Sequence, residues 1–194
     1  MKIIQVGANS GNDEVYHFIK NHIHEIDIVI LVEPMPYVLD KLKLNYQLFK
    51  NIHIEPVAIV PSDQNKLVLY YEKNSINYEV CSFSKQHLLD HGCPEYKIEK
   101  IEVAATSINN LMKKYNLDQI DYLFIDTEGL DISIIKDLDF NLYTFNNIIF
   151  ESAHTDGVFQ KGQNYNNIVD YLHNLGYNIT TDNHLNSTAV LQTN

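Results

Sequence analysis

The chain has 194 residues, which is room for one domain with a proper core and hardly for two. Its formal charge is -11, with 25 acidic residues against 14 lysines and no arginine, so a polyanion such as DNA or RNA would be repelled unless a basic patch existed, and the lysines are scattered. Cys81 and Cys93 form neither a CxxC pair nor a zinc spacing with histidine, and the longest apolar run, Ile28 to Val32, is far too short to cross a bilayer.

Ile3 to Val6 predicts a short buried strand. Asn12 is the expected N-cap of a helix, with Asp13 and Glu14 in its first turn and Val15, Phe18, Ile19 and Ile23 on one face. Residues 27–34, DIVILVEP, read as a second strand, apolar on both faces as a covered parallel sheet requires. Pro36 suits the first position of a helix with Val38, Leu39, Leu42 and Leu48 inward. Residues 52–60 predict one strand and 66–71 another. The irregular stretch 72–99 is the kind of long excursion that is usually functional or mobile. A strand is predicted at 100–106, and Thr106 or Ser107 then caps a helix carrying Ile108, Leu111 and Met112. DYLFIDTEGLD, 121–131, is a strand running into a loop, followed by a short helix with Ile132, Ile135 and Leu138 and by a strand at 146–152. Ile168, Tyr171, Leu172 and Leu175 mark a helix that Gly176 stops, and a hairpin is expected between 177–181 and 188–193. This alternation predicts a doubly wound α/β fold with an antiparallel C-terminal hairpin.

The chemistry sits at strand ends. Gly7-Ala-Asn-Ser-Gly11 has the strand-turn-helix context of a ligand turn, but Asn9 stands where a dinucleotide fingerprint needs its second glycine, and the Gly-Lys-Ser/Thr ending of a P-loop is missing. A plain tight turn is the alternative. Glu33, 26 positions after Gly7, can accept hydrogen bonds from both hydroxyls of a ribose, or can simply end a strand. Glycine turn, acidic strand end and Pro34 together suggest a nucleoside without a pyrophosphate, which describes S-adenosylmethionine. Asp126, Glu128 and Asp131 leave one strand within six positions, and crowded acids are costly unless paired, cation-bound or exposed. Asp131 reads as a helix cap, and a solvated Glu128 is the bland alternative for that residue. Asp126 faces the ligand if its strand adjoins the first. Finally, Glu151 and His154 close the next strand, where His154 is either a general base or a structural histidine.

These segments resemble the FkbM-type family of S-adenosylmethionine-dependent methyltransferases. The matching stretches are VGANSGN (6–12), VEP (32–34), VAIV (57–60), ATSINNLM (105–112), IDTEGLD (125–131) and IIFES (148–152), in the family's order and over nearly the whole chain. The resemblance implies a single Rossmann-like methyltransferase domain over 1–194, a seven-stranded sheet whose last strand is antiparallel, and methyl transfer to a hydroxyl oxygen, commonly on a sugar or a polyketide-like product. By position it implies Gly7, Ala8, Asn9 and Gly11 around the methionine part of the cofactor and Glu33 on the ribose. Pro34, Met35 and Ala58 would flank the adenine, and Asp126 would lie near the sulfonium with Glu128 behind it.

Two departures stand out. Phe124 occupies a place where the family often has lysine, and segments the family often carries before the first strand do not precede this one. Cover over the acceptor is therefore expected from 72–99, with Ser82, Ser84 and His87, or from a partner subunit. Asp126, Glu128 and His154 are the candidate bases. A divalent metal held by Asp126 and its neighbours stays open, as do the acceptor and the oligomeric state, a dimer included. The expected partner is a small-molecule or glycan acceptor, with no nucleic acid and no membrane, and without a basic-then-apolar leader the expected setting is cytoplasmic. Rival readings are a non-catalytic cofactor-binding module, an NAD-dependent oxidoreductase, which Asn9 disfavours, and a nucleic-acid methyltransferase, which the charge disfavours.

Overall fold

The structure, a computed structural model, describes all residues except 62, 63, 76, 77, 79, 158, 183, 184, 193 and 194. In chain order its strands are β1 (Lys2–Val6), β2 (Ile28–Val32), β3 (Ile52–Glu55), β4 (Ala58–Ile59), β5 (Lys66–Glu72), β6 (Cys81–Ser82), β7 (Ile98–Thr106), β8 (Gln119–Ile125), β9 (Thr144–Glu151), β10 (Tyr177–Asp182) and β11 (Asn186–Leu191). Its helices are α1 (Glu14–Asn21), α2 (Leu39–Tyr46), α3 (Lys85–Asp90), α4 (Ile108–Lys114), α5 (Asp131–Asp137) and α6 (Gln163–Asn174). None of them, among the described residues, is long and apolar enough to cross a membrane.

Seven strands form the main sheet in the order β10-β11-β9-β8-β1-β2-β3. β3, β2, β1, β8 and β9 run parallel, each bonded to the next. Successive side chains of a strand point to opposite faces, so the apolar runs of β1 and β2 feed two cores. Ile3, Val29 and Leu31 pack with Ile19 of α1 and Leu42 of α2 on one face. Ile4, Val6, Ile30 and Val32 lie on the other, with Leu111 of α4, Ile135 of α5 and Leu172 of α6. The expected hairpin forms, but its second strand lies inside the sheet: β11 pairs antiparallel with both β10 and β9. Position 193 of that hairpin and positions 183 and 184 of its loop lie outside the described residues.

The single strand expected at 52–60 is two strands in two sheets. Pro56 has no N–H to give a ladder, and the chain leaves the main sheet there. β4 then joins a four-stranded sheet of order β4-β7-β5-β6, in which β5 pairs antiparallel with β7 from Lys66↔Ala104 to Glu72↔Ile98. The stretch 72–99 is correspondingly more regular than its composition suggests. It contains β6, α3 and a 3₁₀ turn at Glu95–Lys97, with positions 76, 77 and 79 outside the described residues.

Several local expectations are corrected. Asp13, not Asn12, caps α1, its Oδ1 accepting from the Tyr16 N–H at 2.8 Å, because a carboxylate one residue nearer the helix reaches that donor. Pro36 lies in the turn ahead of α2, which begins only at Leu39, and Leu48 is 90% exposed beyond the helix end. Leu130 holds the cap position of α5, while Asp131 is its first residue and is bonded to Thr127. Ser107 does cap α4, and Gly176, at φ +89°, does end α6.

Candidate functional site

β1 and β8 adjoin, so the glycine turn and Asp126 leave the sheet side by side. The Asp126 N–H donates to the Val6 carbonyl at 3.1 Å. Gly7 sits at φ +81°, and a Cβ there would lie 1.9 Å from the Asp126 carbonyl oxygen, so only glycine fits. Gly11, at φ +67°, is packed as tightly against α2: a Cβ would meet Tyr46 at 2.5 Å and Leu42 at 2.7 Å.

The N–H groups of this turn are all engaged inside the protein. Gly7 and Ala8 donate to the Val32 carbonyl at 3.0 and 3.1 Å, and Gly11 donates to the Ala8 carbonyl at 2.8 Å. Asn9 donates to Glu33 Oε2 at 2.7 Å, and Ser10 donates to Asn9 Oδ1 at 2.5 Å. A phosphate-binding turn aims free N–H groups at its ligand. From Gly7 to Gly11 every one is already bonded.

Beside the turn lies a cavity of about 290 Å³. Gly7, Ala8, Asn9, Glu33, Pro34, Ala58, Asp126 and Glu128 all stand on its wall. Gly11 and Met35 stand behind it. Met35 is buried against Val38 and Tyr71, and its N–H donates to Glu33 Oε1 at 2.7 Å. The second sheet supplies Leu67 and Leu69 of β5, to which the sequence did not point, and the 72–99 stretch expected as cover supplies Tyr78, Cys81 and Phe83. They make one side apolar, and the strand ends make the other acidic. Of the serines expected in a cover, Ser82 donates to the Glu128 carbonyl at 2.8 Å and Ser84 caps α3.

Burial pushes Glu33 up to about 7, even though the Met35 and Asn9 N–H groups pull the other way. Asp126 is also raised to about 7, chiefly by burial and then by Asp131, Glu128, Asp13 and Glu33 around it. Asp131 is raised to about 6 by burial, against the hydrogen bonds from Thr127. Among the described residues no lysine stands on the cavity wall. The cavity therefore disfavours an anion and favours a cation.

Past Asp126 the acids continue into a cluster of histidines. Glu128, at φ +53°, places its Oε2 2.7 Å from His87 Nε2. His154 lies off the cavity wall, with its Nε2 3.3 Å from Glu151 Oε1 and its Nδ1 accepting from the Phe159 N–H at 3.3 Å. Burial lowers the His154 pKa, opposed by Glu128, and raises Glu151 to about 9, with Asp126, Glu128 and Asp131 adding to the rise. His91 completes the group, and the sequence carries a signal for it: His87 and His91 stand four apart on one helical face. His91 Nε2 and Glu151 Oε2 are buried without a hydrogen-bond partner among the described residues, a state that ordinarily costs about 1–3 kcal/mol per group.

The description of the methyltransferase FkbM domain matches residues 5–179 of the chain. No curated protein matches it. Among solved structures it is similar to the methyltransferase FkbM of Methylobacillus flagellatus KT, at 12% identity and a TM-score of 0.57 over 97% of this chain. It spans 43% of that protein's length. It is also similar to a chain of a fibrillarin/Nop5p complex, at 12% identity and a TM-score of 0.52, over 99% of this chain and 72% of the other. At these identities the likeness is one of fold: a Rossmann-like α/β methyltransferase fold with an antiparallel C-terminal hairpin.

Proposed function

The chain belongs to the methyltransferase FkbM domain family, and from that premise we propose that it moves the methyl group of S-adenosylmethionine to a hydroxyl oxygen of a sugar or glycan. One observation carries the cofactor part: a glycine turn with every N–H engaged faces buried carboxylates. A dinucleotide would bring a pyrophosphate to a turn whose N–H groups from Gly7 to Gly11 are already bonded and to a wall with no lysine among the described residues. S-adenosylmethionine brings a ribose, an adenine, two positive groups, the sulfonium and the ammonium, and one carboxylate, so that its net charge is positive. Glu33 gives one lone pair of each oxygen to the protein and keeps the others for ribose hydroxyls. Pro34, Ala58 and Leu69 offer the adenine apolar faces, and Asp126 answers the sulfonium end.

The sulfonium is already a strong electrophile, so the protein's main task is to hold the acceptor oxygen in line with the methyl carbon at near-attack distance. The new C–O bond forms as the S–C bond breaks. The bonding pair stays on sulfur, leaving a neutral thioether, and the hydroxyl proton passes to a base. Asp126 is the base in this reading, because it stands on the cavity wall and its raised pKa suits proton acceptance near neutrality. Glu128 is tied to His87, and His154 lies one step further out. The acceptor class rests on the family resemblance and on a charge of -11, which suits a neutral hydroxyl compound better than a polyanion.

The reading is tested by calorimetry with S-adenosylhomocysteine and with NAD. It expects binding of the first and none of the second, and the reverse pattern overturns it. A glycan panel supplied with S-adenosylmethionine then looks for products heavier by one methylene. Cofactor binding with no such product on any hydroxyl acceptor would favour the non-catalytic module instead.

A further inference from the structure

Three histidines and two glutamates from separate segments meet beside the cavity. His87 lies in α3, and His91 follows the last residue of that helix. Glu151 ends β9, His154 lies three residues on, and Glu128 sits in the loop after β8. The ring centroids are 4.5 Å apart for His87–His91, 5.2 Å for His87–His154 and 5.0 Å for His91–His154. One donor atom from each of these three histidines lies within 4.8 Å of the other two, and the same holds for Glu128, Glu151 and His154. His154 belongs to both sets, and its side chain is only 5% exposed.

Hydrogen bonding inside the cluster does not satisfy it. His91 Nε2 and Glu151 Oε2 are buried and have no partner among the described residues. Buried polar atoms in native proteins are almost always partnered, and an ion is one of the partners that such atoms take. Imidazole nitrogens with carboxylate suit zinc and its neighbours in the first transition row, whereas magnesium and calcium take oxygen ligands. Donors in a tetrahedral zinc site stand roughly 3.4 Å apart, and within each set of three the separations are no more than 4.8 Å.

We infer that this cluster binds a divalent ion of the zinc class, with His87, His91 and His154 as nitrogen ligands and Glu151 as the fourth. The sequence left open a metal held by Asp126 and its neighbours. The donor clusters lie at the end of the next strand and on α3. Loading Nε2 of His154 sends that ring's proton to Nδ1 and releases the bond from the Phe159 N–H. What the ion does rests on the methyl-transfer reading, but that it binds does not. Glu128 belongs to both the cluster and the cavity wall, so the ion stands where an acceptor hydroxyl could join it as a fifth ligand and lose its proton more easily.

The test uses the whole chain, stripped with a chelator and then titrated with zinc chloride, magnesium chloride and cobalt chloride. One zinc per chain is expected by calorimetry, with no heat from magnesium and with visible absorption bands of low-coordinate cobalt. His91→Gln and Glu151→Gln should each weaken zinc at least about tenfold. His17→Gln, an exposed histidine on α1, should leave zinc binding unchanged. Affinity for S-adenosylhomocysteine should stay the same in His91→Gln. Melting curves check that each variant folds, and if one does not, the other carries the comparison. Absence of saturable zinc binding, or equal zinc binding in the parent and both variants, overturns the inference. If zinc binds as expected and S-adenosylhomocysteine does not, the cofactor reading falls and the metal site stands.

Discussion

Glu33→Gln isolates what the acidic wall costs the fold. Glu33 is 6% exposed, and its pKa stands at about 7 against an ordinary 4.5. A tenfold change in proton affinity corresponds to about 1.4 kcal/mol, so the whole rise is linked to about 3 kcal/mol of stability. The sign follows from which state ionises first. Below pH 4.5 both the folded and the unfolded carboxyl are protonated, and the folded state keeps its full contribution. As pH rises towards 7 the unfolded chain ionises first, which draws the equilibrium to unfolding, and above 7 the contribution is gone. Glutamine cannot titrate. Its amide keeps one of the two N–H contacts to Asn9 and Met35 and opposes the other, a loss that does not vary with pH. The stability of the parent minus that of the variant should therefore fall by about 2 kcal/mol between pH 5.5 and pH 8. Urea denaturation at several pH values without cofactor measures it. A difference that stays flat, or that grows with pH, would refute the claim that Glu33 is strained in its ionised form.

The other expectations follow from the same geometry. Gly7→Ala places a Cβ against the Asp126 backbone at 1.9 Å and should cost more than about 4 kcal/mol, whereas Gly92→Ala meets open space at φ +82° and should cost only about 1–2 kcal/mol. Equal denaturation midpoints for the two would contradict the close approach of β1 and β8. Affinity for S-adenosylmethionine should rise about tenfold from pH 6 to pH 8 as Asp126, at about 7, ionises, and affinity for the uncharged thioether S-adenosylhomocysteine should rise less. Parallel calorimetric titrations separate these outcomes, and identical slopes would remove Asp126 from the sulfonium. Asp126→Asn should lower kcat by about a hundredfold or more and leave S-adenosylhomocysteine affinity nearly unchanged, and unaltered turnover would end its role as base.

Much of this site is legible in the sequence because its determinants are local. Gly7, Glu33 and Asp126 each end a strand whose apolar run is unmistakable, and parallel neighbours bring such ends to one edge. What the sequence hides depends on pairing between distant segments. Leu69 reads as one residue in an alternating strand. That it walls the cavity follows only from β5 pairing with β7 and β7 with β4, across residues that the chain separates widely. Pro56 is a local cue to the break at 56, since a residue without an N–H marks where a strand must stop pairing. His87 reads as part of a loop until α3 is seen, and only then does its spacing of four from His91 become two side chains on one face.

The crowding of acids at this edge ties these observations together. Four carboxyls, Glu33, Asp126, Asp131 and Glu151, are all pushed above the ordinary carboxylate range, each chiefly by burial. Carboxyls raised by burial cluster at functional sites, and purely structural networks raise them as well. Glu33 and Asp126 open on the cavity, where a ribose and a sulfonium can answer them. Asp131 is answered in part within the chain: its Oδ2 accepts from Thr127, while its Oδ1 is buried without a partner among the described residues. Glu151 lies off the cavity wall: one oxygen is 3.3 Å from His154, and the other is likewise buried without a partner among the described residues. The two proposals divide these acids between them: a cationic nucleoside in the cavity would answer Glu33 and Asp126, and a metal ion beside it would answer Glu151.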